Sequence, residues 1–445
     1  MASIVHEKMK IESMKHMTKL KKLEKLPDPE YFFIPLSQHI GQVAKETVKK
    51  GDYVRQYEKI GEITGNISSN IHSPVSGSVE DIIENPLSNG VRVKTVKIKN
   101  DFEYNQMELE KIDISDICKL PKKKILEKIK EAGIVGEGGA QFPTYVKYSI
   151  GEKKIRTLIL NGAECEPYLT SDYTVMKEYA EEMFNGIKIV DRLLDPEEIV
   201  IGIENENRNL EDVLLPIIKR DKLEKIRIQI LPTAYPQGSE LQLIKSVTGK
   251  ELRKGSIPVD SGVIVSNVGT IKSVYYAVSE GIPVTERVVT ISGEKLNKIG
   301  NYLLKIGTPL KHITDKLSPA NDSKIVFGGP MMGTEVEFID RNKTVPVIKG
   351  TSGILFLSRE IDSIQRENCI SCGACVDVCP MGLLPLYFEK YYSDGKIKKL
   401  LRLNIESCIE CGACEYACPS RVPLISSIKN GKAEIRQLGK EGEIR

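Results

Sequence analysis

Eight of the ten cysteines stand in two short runs that share one spacing. Each run reads C-x-x-C-x-x-C-x-x-x-C-P, the first over residues 369–380 and the second over residues 408–419. In such runs three thiolates face one iron–sulfur cubane, and the fourth cysteine, the one before proline, reaches the cluster of the other run. The crossed pattern predicts two 4Fe-4S clusters, one held by Cys369, Cys372, Cys375 and Cys418 and the other by Cys408, Cys411, Cys414 and Cys379.

Structural zinc is the alternative, because C-x-x-C pairs also bind that ion. Tandem runs of four thiolates without a partnering histidine favour iron–sulfur clusters instead. A disulfide framework is disfavoured, since only Cys118 and Cys165 lie outside the runs and 445 residues can build cores without such crosslinks. Two clusters with shared ligation lie close together, so electrons are expected to pass through the protein.

A glycine-rich turn offers a second kind of chemistry. Gly136, Gly138 and Gly139 let backbone amides approach a phosphate or a flat ring, and Lys147 follows with a compensating charge. The stretch 161–167, Asn-Gly-Ala-Glu-Cys-Glu-Pro, comes after a predicted buried strand, where open α/β sheets bind ligands. Its amide and two acids suit a flavin edge and a ribose. The alternative is a cap for the next helix, which would use one acid only.

Alternating helices and strands must position these residues. The predicted elements between residues 120 and 250 are helices over 120–132 and 174–194 and strands over 157–160, 198–203 and 226–231. This alternation is typical of an α/β layer with a mainly parallel sheet. The chain then returns to β patterning, with strands over 287–292 and 324–327 and a helical segment near 301–317, which suits a small β-grasp-like domain.

Short apolar stretches divided by turns predict a compact β module from Phe33 to about Lys99. Residues 48–54 and 71–79 resemble the two halves of a biotinyl/lipoyl-type β-sandwich. Such domains carry their cofactor on a lysine at the hairpin tip, and the matching tip, 64–70, contains no lysine. The sequence therefore predicts this fold without the covalent cofactor.

The overall composition disfavours several classes of protein. Lys and Arg number 64 against 61 for Asp and Glu, a net charge of +3 that is too balanced for a nucleic-acid-binding surface. No apolar stretch approaches the roughly 20 residues that cross a bilayer, and the start of the chain lacks the apolar core of a signal peptide. The Lys-rich first 30 residues are expected to be a solvated terminus, with docking on an acidic partner or anionic lipid as the alternative.

With the glycine turn and the cysteine runs in view, the chain resembles the C subunit of the Rnf electron-transport complex, an ion-translocating ferredoxin:NAD oxidoreductase. The resemblance extends over nearly the whole chain. Besides the cysteine runs, the matching stretches are residues 34–41, 138–144, 161–167, 235–238, 267–270 and 328–333.

The resemblance implies a multidomain α/β protein. Its expected parts are a basic N-terminal segment (1–30), a barrel-sandwich-like β module (31–105), an FMN- and NAD-binding α/β domain like the flavin subunit of complex I (115–255), a β-grasp domain of the SLBB type (256–350), a helical two-cluster ferredoxin-like domain (360–430) and a charged tail (431–445).

The resemblance also implies roles for individual residues. The residues expected around FMN are Gly136, Gly138, Gly139, Lys147, Asn161, Glu164, Ser266 and Asn267. Phe142, Glu166 and Glu240 are expected to face the nicotinamide nucleotide, and Glu166 is the candidate catalytic residue. Sequence alone leaves FMN and FAD as alternatives.

The implied activity is electron entry, in which NADH gives a hydride to FMN and single electrons pass through the clusters to membrane partners. Ferredoxin would take part only indirectly, and no nucleic-acid partner is expected. The resemblance places the protein on the cytoplasmic face of the membrane as a peripheral subunit bound to other Rnf subunits. Departures from relatives at Gln141, Ala163 and Ser239 leave a second hypothesis open. It is a soluble electron-transfer adaptor of the kind attached to proline reductase or to cobalamin reduction.

Overall fold

The computed structural model describes residues 9–252, 255–337, 339, 342–359 and 365–440. They form an extended N-terminal arm and four domains that follow one another along the chain. Each domain has a hydrophobic core of its own, and the largest core belongs to the second domain.

The arm, residues 9–30, differs from the solvated terminus that its lysine content predicts. It makes a 3-10 turn at Lys15–Met17 and then strand β1 (Leu23–Lys25), which pairs in parallel with a strand of the third domain. The side chain of Lys15 is buried, and its carboxylate partners lie in the second domain. The arm therefore packs on the second and third domains through Lys15 and β1, while most of its other side chains are exposed or half-buried. The first eight residues of the predicted segment lie outside the described part.

Two antiparallel sheets, in the orders β2-β8-β7-β4 and β3-β5-β6, form the β module. Its strands are β2 (Tyr31–Pro35), β3 (Lys45–Glu46), β4 (Tyr53–Val54), β5 (Lys59–Glu62), β6 (Ile71–His72), β7 (Gly77–Pro86) and β8 (Arg92–Asn100). Register pairs Phe32 with Ile98 and Ile34 with Val96, and all four side chains are fully buried. The hairpin tip that lacks a lysine is exposed at residues 65–67 and buried at residues 68–70, where Lys349 Nζ of the third domain donates to the Asn70 carbonyl at 2.7 Å.

The second domain is a layer of helices around a four-stranded parallel sheet in the order β11-β10-β9-β12. Its elements are α1 (Lys122–Glu131), α2 (Thr144–Tyr148), β9 (Thr157–Gly162), α3 (Ser171–Glu178), α4 (Ala180–Leu194), β10 (Glu198–Glu204), α5 (Glu211–Arg220), β11 (Ile226–Leu231), α6 (Glu240–Thr248), β12 (Val263–Asn267) and α7 (Val268–Tyr275). The register of the two neighbouring strands places Asn161 directly opposite Asn267. Two stretches that lie a hundred residues apart in sequence therefore meet at one edge of the sheet.

The third domain is a six-stranded mixed sheet in the order β1-β14-β13-β17-β15-β16, covered by one helix. Its elements are β13 (Glu286–Ser292), β14 (Gly300–Lys305), α8 (Leu310–Leu317), β15 (Lys324–Phe327), β16 (Thr334–Val336) and β17 (Gly353–Leu357). Strand β1 of the arm completes the sheet at one edge.

Two predicted helices differ from the observed elements. The segment near 301–317 begins as strand β14, because its apolar residues pair with β13, and the helix starts only after Pro309. The helix predicted over 174–194 is divided at Tyr179, whose backbone leaves the helical region. Strand pairing overrides the apolar periodicity in the first segment, and a local break in the backbone interrupts it in the second.

In the cysteine domain, over the described residues 365–440, five α-helices pack together. They are α9 (Ala374–Asp377), α10 (Pro385–Ser393), α11 (Ile397–Arg402), α12 (Ala413–Tyr416) and α13 (Leu424–Lys440). Gly373 and Gly412 precede α9 and α12 with φ of 81° and 78°, which a residue with a Cβ rarely adopts. Helix α13 occupies most of the segment predicted as a charged tail, and residues 441–445 lie outside the described part.

Candidate functional site

The glycine-rich turn forms a closed loop with an open outer face. The amide of Gly136 donates to the Phe142 carbonyl at 2.9 Å, and the amide of Gln141 donates back to the Gly136 carbonyl at 3.2 Å. Gly138 and Gly139 are exposed, and Gly139 has φ of 106° with open space where a side chain would lie. A Cβ on Gly138 would lie 3.4 Å from Asn267. The loop thus offers bare backbone beside the end of β12.

The two asparagines that face each other across β9 and β12 hold the loops that follow these strands. Asn161 donates to the Gly238 carbonyl at 2.8 Å and accepts from the Ala163 amide at 3.1 Å. Asn267 caps α7 by accepting from the Gly269 amide at 2.8 Å, and its Nδ2 donates to Asp172 at 2.7 Å. Both side chains therefore shape the edge of the sheet where ligands bind in α/β folds.

Lys147 and Glu240 form an ion pair at this edge, with 3.1 Å between Nζ and Oε1. Lys147 also donates to the Val265 carbonyl at 3.0 Å, one residue before Ser266. Their side chains are 33% and 42% exposed, so the pair is open to exchange with an incoming anion. The Ser266 hydroxyl is hydrogen bonded at 2.7 Å to the buried phenol of Tyr148.

The two acids of the 161–167 stretch serve different contacts. Glu164 is buried and accepts from the Ser171 hydroxyl at 2.8 Å and from the Asp172 amide at 3.2 Å. It therefore caps α3, which is the simpler of the two sequence interpretations. Burial, together with the nearby Glu164 charge, raises the pKa of the Asp172 carboxyl well above its ordinary value.

Glu166 is bound by a loop of the third domain. Its two carboxylate oxygens accept from the amides of Met331 and Met332 at 3.0 and 2.9 Å. Burial raises the pKa of Glu166 to about 7, against the opposing effect of the two amides. The loop over 328–333 passes so close that a Cβ on Gly329 would lie 2.2 Å from the carboxylate. Glu166 thus joins the second domain to the third.

The eight cysteines of the two runs line two separate cavities. One cavity is lined by Cys369, Cys372, Cys375 and Cys418, and the other by Cys379, Cys408, Cys411 and Cys414. None of these eight cysteines forms a disulfide. The fourth cysteine of each run lies with the first three of the other run, the grouping that the crossed assignment requires. Backbone amides reach Cys379, Cys408 and Cys418 at 3.3–3.4 Å, the kind of contact that tunes cluster potentials.

The two cavities differ in exposure. Cys369 and Cys372 of the first are exposed, whereas Cys379, Cys411 and Cys414 of the second are buried. The cavity lined by Cys369 and Cys372 is the outer cavity, and the one lined by Cys379, Cys411 and Cys414 is the inner cavity.

Sequence reasoning did not identify the buried charges beneath the site. Lys15 of the arm donates to the Glu164 carbonyl and forms ion pairs with Glu204 and Glu206 at 3.2 and 3.1 Å. These partners raise the pKa of Lys15 even though burial acts in the opposite direction. No local signal distinguishes this lysine from its neighbours in a basic segment, because its partners lie 149 or more residues away.

Three protein-family models match the chain. They describe an RnfC barrel sandwich hybrid domain over residues 5–103, a Nuo51 FMN-binding domain over residues 129–276 and a 4Fe-4S dicluster domain over residues 368–422. The matches confirm the predicted fold class, with its β module, complex I-like flavin domain and two-cluster domain. They also confirm FMN and 4Fe-4S clusters as the cofactors, in place of the zinc alternative.

Curated relatives extend over most of the chain. The C subunit of the Na(+)-translocating ferredoxin:NAD(+) oxidoreductase complex of Acetobacterium woodii is 38% identical and aligns over 92% of this chain and 91% of its own length. The C subunit of the proton-translocating ferredoxin:NAD(+) oxidoreductase complex of Clostridium ljungdahlii is 37% identical and aligns over 83% of this chain and 80% of its own length. The C subunit of the ion-translocating oxidoreductase complex of Cronobacter sakazakii is 36% identical over 94% of this chain and 54% of its own length.

Among solved structures, NAD+-reducing NiFe-hydrogenase in its H2-reduced state shares the fold. The TM-score is 0.51 at 18% identity, and the match covers 76% of this chain and 66% of the hydrogenase chain. Within the described residues, no helix has the length and apolar character needed to span a bilayer.

The donor sets suit the two kinds of cofactor. An open glycine backbone beside Asn267, with an exchangeable cation at Lys147, provides amides and positive charge for a flavin phosphate. Four thiols around each cavity supply the ligand number and chemistry of a 4Fe-4S cubane. The residues present therefore fit FMN and two clusters.

Proposed function

The chain belongs to the family of Rnf-type C subunits, and we propose that it is the NADH-linked electron-entry subunit of such a complex. Its family, its FMN-binding domain and its 4Fe-4S domain make it an oxidoreductase subunit with an electron-transfer role. The observation that carries the finer proposal is the meeting of the glycine loop, Lys147 and the ends of β9 and β12 at one open edge. FMN bound there would convert between the two-electron chemistry of nicotinamide and the one-electron chemistry of clusters.

In this proposal the residues at the open edge bind and orient the flavin. The amides of Gly138 and Gly139 are free to donate to the phosphate or ring, and Lys147 exchanges Glu240 for the phosphate. Asn161, Ser266 and Asn267 hold the surrounding loops in register. Glu164 supports the site from below as the cap of α3.

Phe142, Glu240 and Glu166 remain the proposed contacts of the nicotinamide nucleotide. Phe142 closes the glycine loop, and Glu240 lies beside Lys147. Glu166 is already engaged by two amides of the third domain, so it would contribute to catalysis by fixing the loop after β9 and by holding or releasing a proton near pH 7.

The two cysteine cavities give the proposal an order of electron transfer. The inner cavity packs against the second domain, whereas Cys369 and Cys372 of the outer cavity are open to solvent. Electrons would therefore pass from the flavin to the inner cluster, then to the outer cluster, and leave to a partner that docks on the exposed face.

The partners in this proposal are the other subunits of a membrane Rnf-type complex, with ferredoxin reached only through them. The names of the relatives support ion translocation by the complex as a whole. The chain would be a peripheral subunit on the cytoplasmic face, attached through those subunits.

Anaerobic reconstitution followed by stopped-flow mixing with NADH tests the proposal. The expected result is rapid bleaching of the flavin absorbance, followed by bleaching of the clusters. Flavin and clusters that bind but ignore NADH would overturn it in favour of the second candidate, a soluble adaptor that relays electrons to a partner reductase. The engagement of Glu166 by the third domain is the observation that favours this candidate.

A further inference from the structure

The inner cavity is held against the second domain by a continuous apolar contact. Tyr235, Cys411 and Ala413 form one buried cluster, bordered by Cys165 and Met331. We call this contact the seam. Both cavities are lined by residues of the cysteine domain alone, and the seam contacts the inner one through Cys411.

Tyr235 is hydrogen bonded across the seam. Its side chain is 2% exposed, and its hydroxyl donates to the carbonyl of Cys411, one of the four thiol residues of the inner cavity. Its backbone amide donates to the Met9 carbonyl of the arm at 2.8 Å. Burying a phenol hydroxyl without a hydrogen-bond partner raises the free energy of the folded state. The hydrogen bond to Cys411 therefore stabilises the position in which the cysteine domain packs on the second domain.

Gln242 makes a second hydrogen bond across the seam. Its Nε2 donates at 3.1 Å to the carbonyl of Pro380, the residue that follows Cys379. The segment 235–242 of the second domain therefore contacts both cysteine runs at the inner cavity, one through Cys411 and the other through Pro380.

The loop over 328–333 also contacts the seam, through Met331. A Cβ on Gly412 would lie 2.7 Å from the Met331 carbonyl, so the backbone at the inner cavity approaches this loop closely. The amide of Met331 in turn donates to Glu166. The inner cavity is thus connected to the stretch that follows β9 by one short series of contacts.

We infer that Tyr235 and Gln242 are positioning residues that fix the inner cluster at a set distance from the flavin pocket. This inference rests on the proposed function, because the distance matters only if electrons cross the seam. Two-electron oxidation of the reduced flavin would reduce two clusters by one electron each and release a proton to solvent. Tyr235 and Gln242 would change neither redox state nor protonation.

The test compares Tyr235→Phe and Gln242→Leu with the full-length, reconstituted wild-type protein. Tyr302→Phe is the matched control, because it also removes a tyrosine hydroxyl from a carbonyl, that of Lys298 at 2.9 Å, inside the third domain. Hydrogen exchange is followed at the amides of residues 409–417 in the oxidised protein. In stopped flow, the rates of flavin bleaching and cluster bleaching are measured separately, and dithionite reduction measures cluster content.

Both seam variants should exchange amide hydrogens about fivefold faster at 409–417, the factor that one buried hydrogen bond contributes to an equilibrium, and should bleach the clusters more slowly than the wild type. Flavin bleaching and dithionite-reducible cluster should stay at wild-type values, and Tyr302→Phe should match the wild type throughout. Unchanged exchange and unchanged cluster bleaching in both seam variants would overturn the inference.

Failure of the proposed function gives a different result. If NADH reduces no flavin in the wild type, the flavin is reduced photochemically, and the cluster rates of wild type and variants are compared again. If Tyr235→Phe loses its clusters, Gln242→Leu, which removes only a side-chain amide, decides the outcome.

Discussion

The ammonium of Lys15 lies 3.2 Å from a carboxylate oxygen of Glu204, and both side chains are at least 97% buried. Lys15 also donates to the carbonyl of Glu164, at the stretch that follows β9. A terminal arm thus supplies the charge that compensates buried acids beneath the proposed flavin site. Such a pair need not add net stability, but removing one partner leaves an uncompensated buried charge.

Replacing Lys15 with methionine should therefore destabilise the second domain by roughly 3–5 kcal/mol. The double variant Lys15→Met/Glu204→Gln should recover part of this loss, because it removes the orphaned carboxylate. Thermal melting followed by circular dichroism measures both variants, and the exposed Lys22→Met is the control in the same arm. A Lys15→Met melting temperature equal to that of Lys22→Met would show that the pair is unimportant.

Glu166→Gln should slow NADH oxidation while leaving both clusters reducible by dithionite. Glutamine retains one acceptor oxygen in place of two, so one amide of the 331–332 loop loses its partner. Steady-state NADH oxidation and dithionite titration measure the two effects. A wild-type rate would remove Glu166 from the mechanism.

The same variant should change how stability depends on pH. The folded pKa of Glu166, about 7, lies above the ordinary value of 4.5, so its contribution to stability is present below pH 4.5 and is lost as pH rises to about 7. The loss should amount to about 3 kcal/mol in the wild type, since one pKa unit corresponds to about 1.4 kcal/mol. Denaturant unfolding between pH 4.5 and 8 should show this slope in the wild type and in exposed Glu62→Gln, and a flatter profile in Glu166→Gln.

Cys379→Ser should damage the cluster built on Cys408, Cys411 and Cys414, because Cys379 lines the inner cavity with them. Cys418→Ser is the reciprocal variant and should damage the outer cluster instead. Electron paramagnetic resonance of the dithionite-reduced proteins distinguishes the two clusters. The crossed assignment fails if each variant damages the cluster of its own run.

Lys147→Met should weaken the binding of FMN about tenfold, the effect of losing one charge-assisted hydrogen bond, and leave riboflavin binding unchanged. Fluorescence titration of the flavin-free protein with each ligand measures the difference. Glu240→Gln removes the carboxylate that forms an ion pair with Lys147, so this variant should bind FMN at least as tightly as the wild type. An equal loss for both flavins would place Lys147 away from the phosphate.

The sequence alone determined the features that depend on local spacing. Four cysteines within eleven residues can bind a cluster in few backbone conformations. In the structure each cavity is lined by three cysteines of one run and the fourth cysteine of the other, as the spacing predicts. The buried strands of the second domain were predictable for a similar reason, because apolar runs between helices form a parallel sheet whose carboxyl ends share one edge. This reasoning covered β9, β10 and β11 only. The sequence placed residues 256–350 in the next domain, and the tertiary structure added β12 to the sheet beside β9, which sets Asn267 opposite Asn161.

Only the tertiary structure decided which contacts a side chain makes when its neighbours in sequence do not distinguish it from other residues of the same type. Glu164 and Glu166 are two residues apart, yet one caps α3 and the other binds a loop 165 residues away. Lys15 stands among several lysines of the arm, and burial against Glu204 gives it a distinct role. Tyr235 likewise meets Cys411 across 176 residues. These contacts depend on how the domains pack against one another. The packing is stabilised by many contacts between residues that are far apart in sequence, so no local sequence pattern can predict it.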